Sequence, residues 1–268
     1  MIKNKRILIT GGAGSIGSEL VRQLSINNKV FIIDINETGL FEIMEETGAF
    51  GRIGDIRDRD VVLDVFSDFK PQIVFHASAL KHVPLNEKYP EEAVKTNVLG
   101  TLNVIKEANN WECLEKFVFI STDKAVQSNS IMGATKRCAE IIVKNMGGIV
   151  VRFGNVLGSR GSLIPIWQKQ IDNKKKITVT DERMKRYMMT IEDACRLVIN
   201  ACEEGKGGEI FILDMGEQIN ILDLAKKMVK EKDIEIIGLR AGETLSEELM
   251  FEEEKKKAIK FNNYWITK

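Results

Sequence analysis

The sequence has 268 residues, 39 basic and 39 acidic side chains, a formal net charge of zero and 44% hydrophobic residues. A chain of this size and composition buries a sizeable core, in one large domain or in a domain with a smaller lobe. Zero net charge predicts no general attraction to nucleic acid or to membrane surfaces. With only 2 histidines, the chain lacks the clustered ligands that first-row metals usually take, so no metal site is predicted.

The apolar runs of the chain are far shorter than the roughly 20 residues that a membrane span needs. The N-terminal segment "MIKNKRILIT" leads directly into a strand pattern and does not resemble a signal peptide. The sequence therefore predicts a cytoplasmic protein with no membrane segment.

Short β-branched runs alternate with longer amphipathic patterns, from "RILIT" and "SIGSELVRQLS" to "KFVFIST", "GATKRCAEIIVKNM" and "GIVVRFG". Continuous apolar strands between such helices predict a parallel sheet covered on both faces, which is a doubly wound Rossmann α/β fold. After about residue 155 the regular alternation of strand and helix patterns gives way to a segment rich in Gly, Arg and Lys. We predict a dinucleotide-binding domain in residues 1–155, completed by about 188–215, and a smaller C-terminal substrate lobe in residues 156–187 and 216–268.

The segment "TGGAGSIG", residues 10–17, follows a predicted strand and opens a helix. Glycines permit a tight turn and close approach of the backbone to a pyrophosphate, whose charge the helix N-terminus stabilises. A glycine pattern alone is a weak signal, but a carboxylate follows at the end of the second strand, where it can bind ribose hydroxyls and repel a 2′-phosphate. NAD is therefore favoured over NADP, with the predicted contacts Gly11, Gly14, Ser15, Ile16, Gly17 and Asp34.

Two further segments are candidates for the cofactor site. "GDIRD" places Asp55 and Ile56 where they could flank an adenine, and "HASAL" places the small residues Ala77 and Ala79 beside the cofactor. Packing at strand ends explains the same residues equally simply.

Thr122, Asp123 and Lys124 end the fifth predicted strand, at the edge where open parallel sheets bind ligands. An adjacent acid and base in a cleft shift each other's pKa values and are candidates for proton transfer. The alternative is an incidental ion pair at a strand end.

Six motifs follow one another along the chain: "ASALKHVPLNE", "TNVLGT", "STDKAV", "MGATKR", "RFGNVLGSRGSLIPIW" and "GLRAGETLSEEL". Together they resemble the extended short-chain dehydrogenase/reductases, and more narrowly the polysaccharide-biosynthesis dehydratases that act on UDP-N-acetylglucosamine. The similarity runs from Arg6 to about Met250. It implies an NAD(P)-dependent lyase that oxidises C4 of the sugar, eliminates water across C5 and C6, and returns the hydride.

The resemblance also implies roles for individual residues. Thr122 would bind the C4 hydroxyl, Asp123 would act as acid on the C6 hydroxyl and Lys124 as base at C5, while Lys136 would hold the nicotinamide ribose. Asn97 would brace the fold. Contacts with the UDP-sugar are implied for Lys81, Asn155, Arg160, Ser162, Pro165, Arg186, Arg240 and Glu243.

Met132 departs from the superfamily pattern, because most members have a tyrosine four residues before the lysine. A thioether cannot usefully accept a proton, so proton removal at C4 would fall to Asp123 or Lys124, directly or through Thr122 and water. Some branches of the dehydratase family resemble this chain at that position, so methionine does not imply an inactive protein.

Three functions remain open at this point. The first is a UDP-N-acetylglucosamine 4,6-dehydratase, and the second is a relative that converts a 5,6-unsaturated UDP-sugar to a 4-keto-6-deoxy sugar, with or without inversion at C5. The third is a non-catalytic NAD(P)-sensing protein, which would need neither Lys136 nor the set Thr122, Asp123 and Lys124. The resemblance further implies a homo-oligomer, a dimer or higher, built on the helices at 91–109 and 133–146.

Overall fold

The computed structural model describes residues 1–268 and contains one large sheet and three short two-stranded sheets. The strands are β1 (Arg6–Thr10), β2 (Lys29–Asp34), β3 (Phe50–Ile53), β4 (Ile73–His76), β5 (Lys116–Thr122), β6 (Ile149–Phe153), β7 (Asn155–Val156), β8 (Ile177–Val179), β9 (Lys185–Arg186), β10 (Met188–Met189), β11 (Ile210–Leu213), β12 (Ile219–Asn220), β13 (Ile234–Ile236), β14 (Ile259–Phe261) and β15 (Tyr264–Thr267).

Helices cover the sheet and build the smaller lobe. They are α1 (Ser15–Ser25), α2 (Glu37–Thr47), α3 (Arg59–Phe69), α4 (Val83–Lys88), α5 (Pro90–Ala93), α6 (Thr101–Asn109), α7 (Ile131–Asn145), α8 (Leu163–Asp172), α9 (Ile191–Glu204), α10 (Ile221–Met228) and α11 (Glu252–Lys257). A π-helical segment, Val94–Gly100, joins α5 to α6, and short 3₁₀ turns occupy Asp123–Ala125 and Glu231–Asp233.

The large sheet has nine strands in the order β14-β15-β11-β6-β5-β4-β1-β2-β3. Strands β1 to β6 and β11 pair in parallel. Because the chain moves outward from β1 to β3 and then returns to place β4 on the other side of β1, a crevice opens at the carboxyl ends of β1 and β4, where such sheets bind their ligands. The predicted doubly wound Rossmann fold is confirmed.

One assignment of the chain to the smaller lobe was wrong. Residues 259–267 were expected there, but they form the β14–β15 hairpin, which pairs antiparallel with β11 at the edge of the large sheet. The reason is apolar burial: Tyr264 is 2% exposed, its ring packs edge-on against Phe211, and its hydroxyl donates a hydrogen bond to the Leu197 carbonyl oxygen.

Alternate side chains of each central strand enter cores on opposite faces of the sheet. On β1, Ile7 and Ile9 join a core with α1, α2 and α9, whereas Leu8 joins a core with α3, α6 and α7. Both faces of the large sheet are therefore buried, as the continuous apolar runs in the sequence predict.

The smaller lobe has its own core around Trp167 of α8, which is fully buried. The Trp167 indole donates a hydrogen bond of 2.8 Å to the Thr178 carbonyl oxygen of β8, and β8 pairs in parallel with β13. α10 closes the core through Ile221 and Ala225. None of the helices in the whole chain combines the length and the apolar character needed to cross a bilayer.

Candidate functional site

The glycine-rich loop lies at the carboxyl end of β1 and leads into α1. Gly11 has φ +70°, and a Cβ at this position would lie 2.7 Å from the Ser78 amide nitrogen. A side chain at Gly17 would collide with the Gly11 carbonyl oxygen. Both glycines are therefore needed for this tight turn, which leaves the first amides of α1, at Ser15 and Ile16, able to bind an anion.

Asp34 stands at the end of β2, beside this loop. Its carboxylate accepts hydrogen bonds from the Ala13 and Asn36 amides, each at 2.9 Å. Because these bonds use one lone pair on each oxygen, the carboxylate can still accept bonds from a ribose. The glycine-rich loop and Asp34, which are the two parts of the predicted cofactor site, are therefore adjacent.

The remaining predicted cofactor residues lie around the same crevice. Asp55 is held by Arg57, with 2.7 Å between the Arg57 Nε and the Asp55 Oδ2, and Ile56 is buried in the core. Ala77 is half-buried, and its amide donates to the Thr10 carbonyl oxygen at the carboxyl end of β1. Ala79 is half-buried two residues further on. Contact of these four with a cofactor stays a prediction.

A buried chain of hydrogen bonds that the sequence analysis missed fixes this segment. His76 is fully buried, with its Nδ1 2.6 Å from the Thr10 hydroxyl and its Nε2 2.9 Å from the Thr101 hydroxyl. The Thr101 hydroxyl donates to the Asn97 carbonyl oxygen, so it must accept from Nε2, and Nδ1 must accept from Thr10. Burial, and secondarily the charge of Lys136, lower the pKa of His76 to about 3.

Asn97 braces the fold, as predicted from the sequence. Its side-chain oxygen accepts from the Leu80 amide, and its side-chain nitrogen donates to the Leu80 carbonyl oxygen and to the Thr135 hydroxyl. It is 1% exposed. Asn97 therefore ties the loop after β4 to α7.

Thr122, Asp123 and Lys124 lie together at the carboxyl end of β5, as expected. The Thr122 hydroxyl donates to Asp123 Oδ1 at 2.9 Å, and Lys124 Nζ lies 3.1 Å from the same oxygen. Lys124 Nζ also donates to Asn155 Oδ1 at 3.1 Å. Asp123 is 1% exposed, so its charge depends on these partners.

The α7 helix begins against this segment. The Ser130 hydroxyl caps α7 by accepting from the Gly133 amide, and a side chain at Gly133 would collide with the Lys124 carbonyl oxygen. Lys136, one turn further along, is buried and donates to the Ile120 carbonyl oxygen at 2.6 Å. Burial lowers the pKa of Lys136 to about 7, although Glu140 opposes the shift.

Met132 is 4% exposed, and its side chain is not part of the cavity wall. The position that usually carries a tyrosine is therefore filled by an apolar side chain that packs inside the protein. It can take no part in proton transfer.

A cavity of about 240 Å³ lies between the end of β5 and the smaller lobe. The predicted residues that line it are Asp123, Lys124, Lys81, Asn155, Arg186, Arg240 and Glu243. Its apolar wall is formed by Trp167 and Ile221 of the smaller lobe and by neighbouring side chains. Charged groups from both parts of the chain therefore converge on one space, as in many binding sites for small molecules.

Three predicted substrate residues do not line this cavity. Arg160 donates from its guanidinium to the Ala13 carbonyl oxygen at 3.0 Å, and from its amide to the Ser15 hydroxyl at 2.9 Å, so it lies over the glycine-rich loop. Ser162 is the N-cap residue of α8 and Pro165 lies in its first turn, and neither lines the cavity.

Glu247 was missed by the sequence analysis and completes the charged centre of the cavity. Its Oε1 lies 2.7 Å from Lys124 Nζ and 3.3 Å from Arg186 Nε. It is 4% exposed. The only signal in the sequence was the acidic character of "GETLSEEL". No sequence pattern indicates that this loop packs against the end of β5.

The three charged groups shift one another's pKa values. Burial alone would lower the pKa of Lys124, but Asp123 and Glu247 outweigh it and raise that pKa. Burial raises the pKa of Asp123, but Lys124, the neighbouring Glu247 carboxyl and the hydrogen bond from the Thr122 hydroxyl bring it below its ordinary value. Burial, opposed by Lys124 and reinforced by Asp123, raises the pKa of Glu247 to about 7.

Comparison with known protein families identifies the chain at the family level. Residues 7–268 match the family described as "Polysaccharide biosynthesis protein". The chain belongs to the polysaccharide biosynthesis protein family. The resemblance inferred from the motifs to an extended short-chain dehydrogenase/reductase family is thereby confirmed.

Relatives within the polysaccharide biosynthesis protein family differ in length. The probable polysaccharide biosynthesis protein EpsC of Bacillus subtilis is 46% identical over 93% of this chain, which spans 45%, about half, of that relative. A protein named UDP-N-acetylglucosamine 4,6-dehydratase (inverting) from Campylobacter jejuni is 36% identical over 99% of this chain and 83% of its own length. The crystal structure of Pen from Bacillus thuringiensis matches with TM-score 0.91 and 38% identity over 98% of this chain and 88% of that chain.

Proposed function

We propose that the chain is an NAD-dependent lyase that dehydrates UDP-N-acetylglucosamine at C5 and C6 in the biosynthesis of a surface glycan or glycoprotein sugar. The observation that carries the proposal is the cavity shared by Asp123 and Lys124 with the arginines Arg186 and Arg240. An acid, a base and two guanidinium groups, which suit phosphate oxygens, lie in one space. The name of the Campylobacter jejuni relative supports the same substrate.

The residues of the glycine-rich loop fit a dinucleotide. Gly11 and Gly17 admit no side chain, the start of α1 can bind a pyrophosphate, and the Asp34 carboxylate stands where an adenosine ribose would be bound. Because that carboxylate repels a 2′-phosphate, NAD suits the site better than NADP. When bound, NAD⁺ supplies the oxidation of C4.

Side chains of the protein carry out the remaining steps, which are substrate binding and proton transfer. Thr122 binds the C4 hydroxyl, and Lys136 holds the ribose next to the nicotinamide. Lys124 removes the C5 proton, which is acidified once C4 is a ketone, and Asp123 delivers a proton to the departing C6 hydroxyl. Lys81 and Asn155 orient the sugar, while Arg186, Arg240 and Glu243 bind the diphosphate and the uridine.

The same residues would serve a 5,6-unsaturated UDP-sugar, so the test includes both substrates. Purified protein is incubated with UDP-N-acetylglucosamine in heavy water and followed by proton NMR. We expect a new C6 methyl or exocyclic methylene signal, with deuterium at C5 or C6. Turnover of the unsaturated sugar alone would replace the proposal with the second reaction, and turnover of neither would leave a non-catalytic NAD(P)-sensing function.

The division of labour between the two parts of the chain follows from the same proposal. We infer that residues 1–155, with about 188–215, hold the cofactor, and that the smaller lobe binds the nucleotide sugar. We also propose a homo-oligomer built on the helical segment at 91–109 and on α7, where the apolar side chains of Leu99 and Ile141 remain exposed.

A further inference from the structure

The charged centre of the cavity has three members, although the role assigned by sequence involves two. Lys124 Nζ lies between Asp123 Oδ1 at 3.1 Å and Glu247 Oε1 at 2.7 Å. Asp123 begins the 3₁₀ turn that follows β5, whereas Glu247 comes from the loop between β13 and α11. The ammonium group is thus clamped by one carboxylate from each part of the chain.

The loop that carries Glu247 is fixed in place. The Arg186 guanidinium donates to the carbonyl oxygens of Thr244 and Leu245, at 2.8 and 3.3 Å, and the Gln218 side chain donates to the Glu247 carbonyl oxygen at 2.8 Å. The position of the Glu247 carboxyl is therefore built into the fold.

Each carboxyl keeps one unused oxygen. Asp123 Oδ2 and Glu247 Oε2 are buried and accept no hydrogen bond within the chain. Two buried carboxyls that contact the same ammonium group and keep spare lone pairs are suited to share a proton, because a protonated carboxyl can donate to a neighbouring one. The centre is therefore suited to store a proton.

A lysine with two carboxylate partners is not a ready base. Its ammonium form is stabilised by both of them, so it must lose a proton before it can remove one from carbon. The shortest contact of Lys124 Nζ with a carboxylate is the one to Glu247. Glu247 is thus the group best placed to take that proton.

Resting on the proposed dehydration, we propose that Glu247 is a positioning residue that accepts the Lys124 proton and returns it, through Asp123, to the departing C6 oxygen. This makes Lys124 a free amine at the moment when the C5 proton must be removed. Glu247 itself need not touch the sugar.

Protons and electrons balance over the elimination step. An N–H bond of the Lys124 ammonium breaks and the O–H bond of Glu247 forms, which leaves an amine and a carboxylic acid. The amine lone pair takes the C5 proton, the C5–H electron pair becomes the C5–C6 π bond, and the C6–O bond breaks with its electrons on oxygen. The Glu247 proton, passed through the Asp123 carboxyl, completes the water molecule, and Lys124 and Glu247 regain their first charges.

The charged groups that face Glu247 are Asp123 and Lys124 from the end of β5 and Arg186 from β9, with Lys81 near Lys124. The raised pKa of Glu247, about 7, means that it loses its proton as pH rises through the neutral range. Because only ionised Glu247 can receive a proton, turnover should rise with pH through that range.

The kinetic test compares the variants Glu247→Gln, Glu247→Asp and Glu252→Gln. We expect Glu247→Gln to lower kcat by about 10² to 10⁴, to leave KM nearly unchanged, and to abolish the rise of kcat near neutral pH. Glu247→Asp should recover part of kcat together with the pH dependence. Glu252, whose side chain is 80% exposed and pairs with Lys255, is the matched control. An unaltered pH profile in Glu247→Gln would overturn the proposal.

A second measurement does not depend on turnover. Infrared difference spectra of the wild-type protein between acid and neutral pH should show a buried carboxylic acid that titrates near neutrality. The band should persist in Glu252→Gln and disappear in Glu247→Gln. Dehydration without this band would overturn the role of Glu247, whereas the band without dehydration would reject the proposed function and keep the proton-sharing pair.

Discussion

Lys124 and Asp123 depend on each other, because a buried charge that loses its partner is strongly unfavourable. We predict that combining Asp123→Asn with Lys124→Ala lowers turnover by several orders of magnitude, since general acid and base groups each contribute about 10² to 10⁴. NAD binding, measured by calorimetry, should persist because the glycine-rich loop is unchanged. Retained turnover in the double variant would reject their role in proton transfer.

His76 makes the fold sensitive to acid. Its pKa is lowered from about 6.5 to about 3 by burial, so the neutral ring contributes stability above pH 6.5 that is lost as pH falls towards 3. At about 1.4 kcal/mol per pKa unit, this loss is roughly 3 kcal/mol between pH 7 and pH 4.

Denaturant unfolding at both pH values tests this prediction. His76→Gln should reduce the difference in unfolding free energy between pH 7 and pH 4, whereas His82→Gln, at an exposed position, should leave most of it. An equal pH dependence in the wild-type protein and His76→Gln would contradict the prediction.

Single residues were predictable where a strand ends and a motif begins. Thr122, Asp123 and Lys124 follow a continuous apolar run, so the edge of the sheet on which they lie could be read from the sequence. Glu247 could not, because it lies in an irregular loop whose return to β5 depends on long-range contacts with Arg186. Arg160 was predicted among the UDP-sugar contacts, but its flexible side chain reaches the glycine-rich loop and does not line the cavity.

At the scale of elements, a buried ion network joins β6, α7 and α11. Arg152 is fully buried, and its guanidinium lies 2.8 Å from Glu140 and 2.7 Å from Glu254. Because Arg152→Met leaves the buried Glu140 carboxylate without its main partner, we predict a loss of about 3 to 5 kcal/mol in the free energy of unfolding.

A matched control is available on α7, the helix that carries Glu140. Arg137 also pairs with Glu140, at 3.0 Å, but its side chain is 32% exposed, so Arg137→Met should cost about 1 kcal/mol or less. Both values come from urea titration followed by circular dichroism. Equal losses in the two variants would show that burial of the Arg152 pair does not determine stability.

Periodicity predicted the helices well but not their irregularities. The pattern over residues 91–109 indicated one helix, whereas the structure has a π-helical segment at Val94–Gly100 between α5 and α6. The spacing of apolar residues does not distinguish a single π-helical segment, with its wider turn, from the α-helical turns on either side of it. Similarly, β14 and β15 were placed in the wrong lobe because a short antiparallel hairpin carries no signal of the sheet that it joins.

At the scale of the whole molecule, exposed apolar side chains on α7 and in the π-helical segment before α6 bear on assembly. Leu99 is 49% exposed and Ile141 47%, which is consistent with an interface between copies. We predict a concentration-dependent dimer or higher oligomer by light scattering, which Leu99→Lys with Ile141→Lys should dissociate.

Leu63 on α3 is a matched control, since it is 47% exposed but lies on a different helix. Leu63→Lys should leave the molar mass unchanged. A wild-type protein that stays monomeric at all concentrations would rule out the proposed assembly.

The contact between Lys124 and Glu247 also limits how the protein can be recombined. Modular design would treat the large sheet and the smaller lobe as exchangeable parts, but here each part supplies one carboxylate that contacts Lys124. We therefore expect a chimera that joins this sheet to another lobe to lose the proposed turnover unless the incoming loop brings its own carboxylate to Lys124.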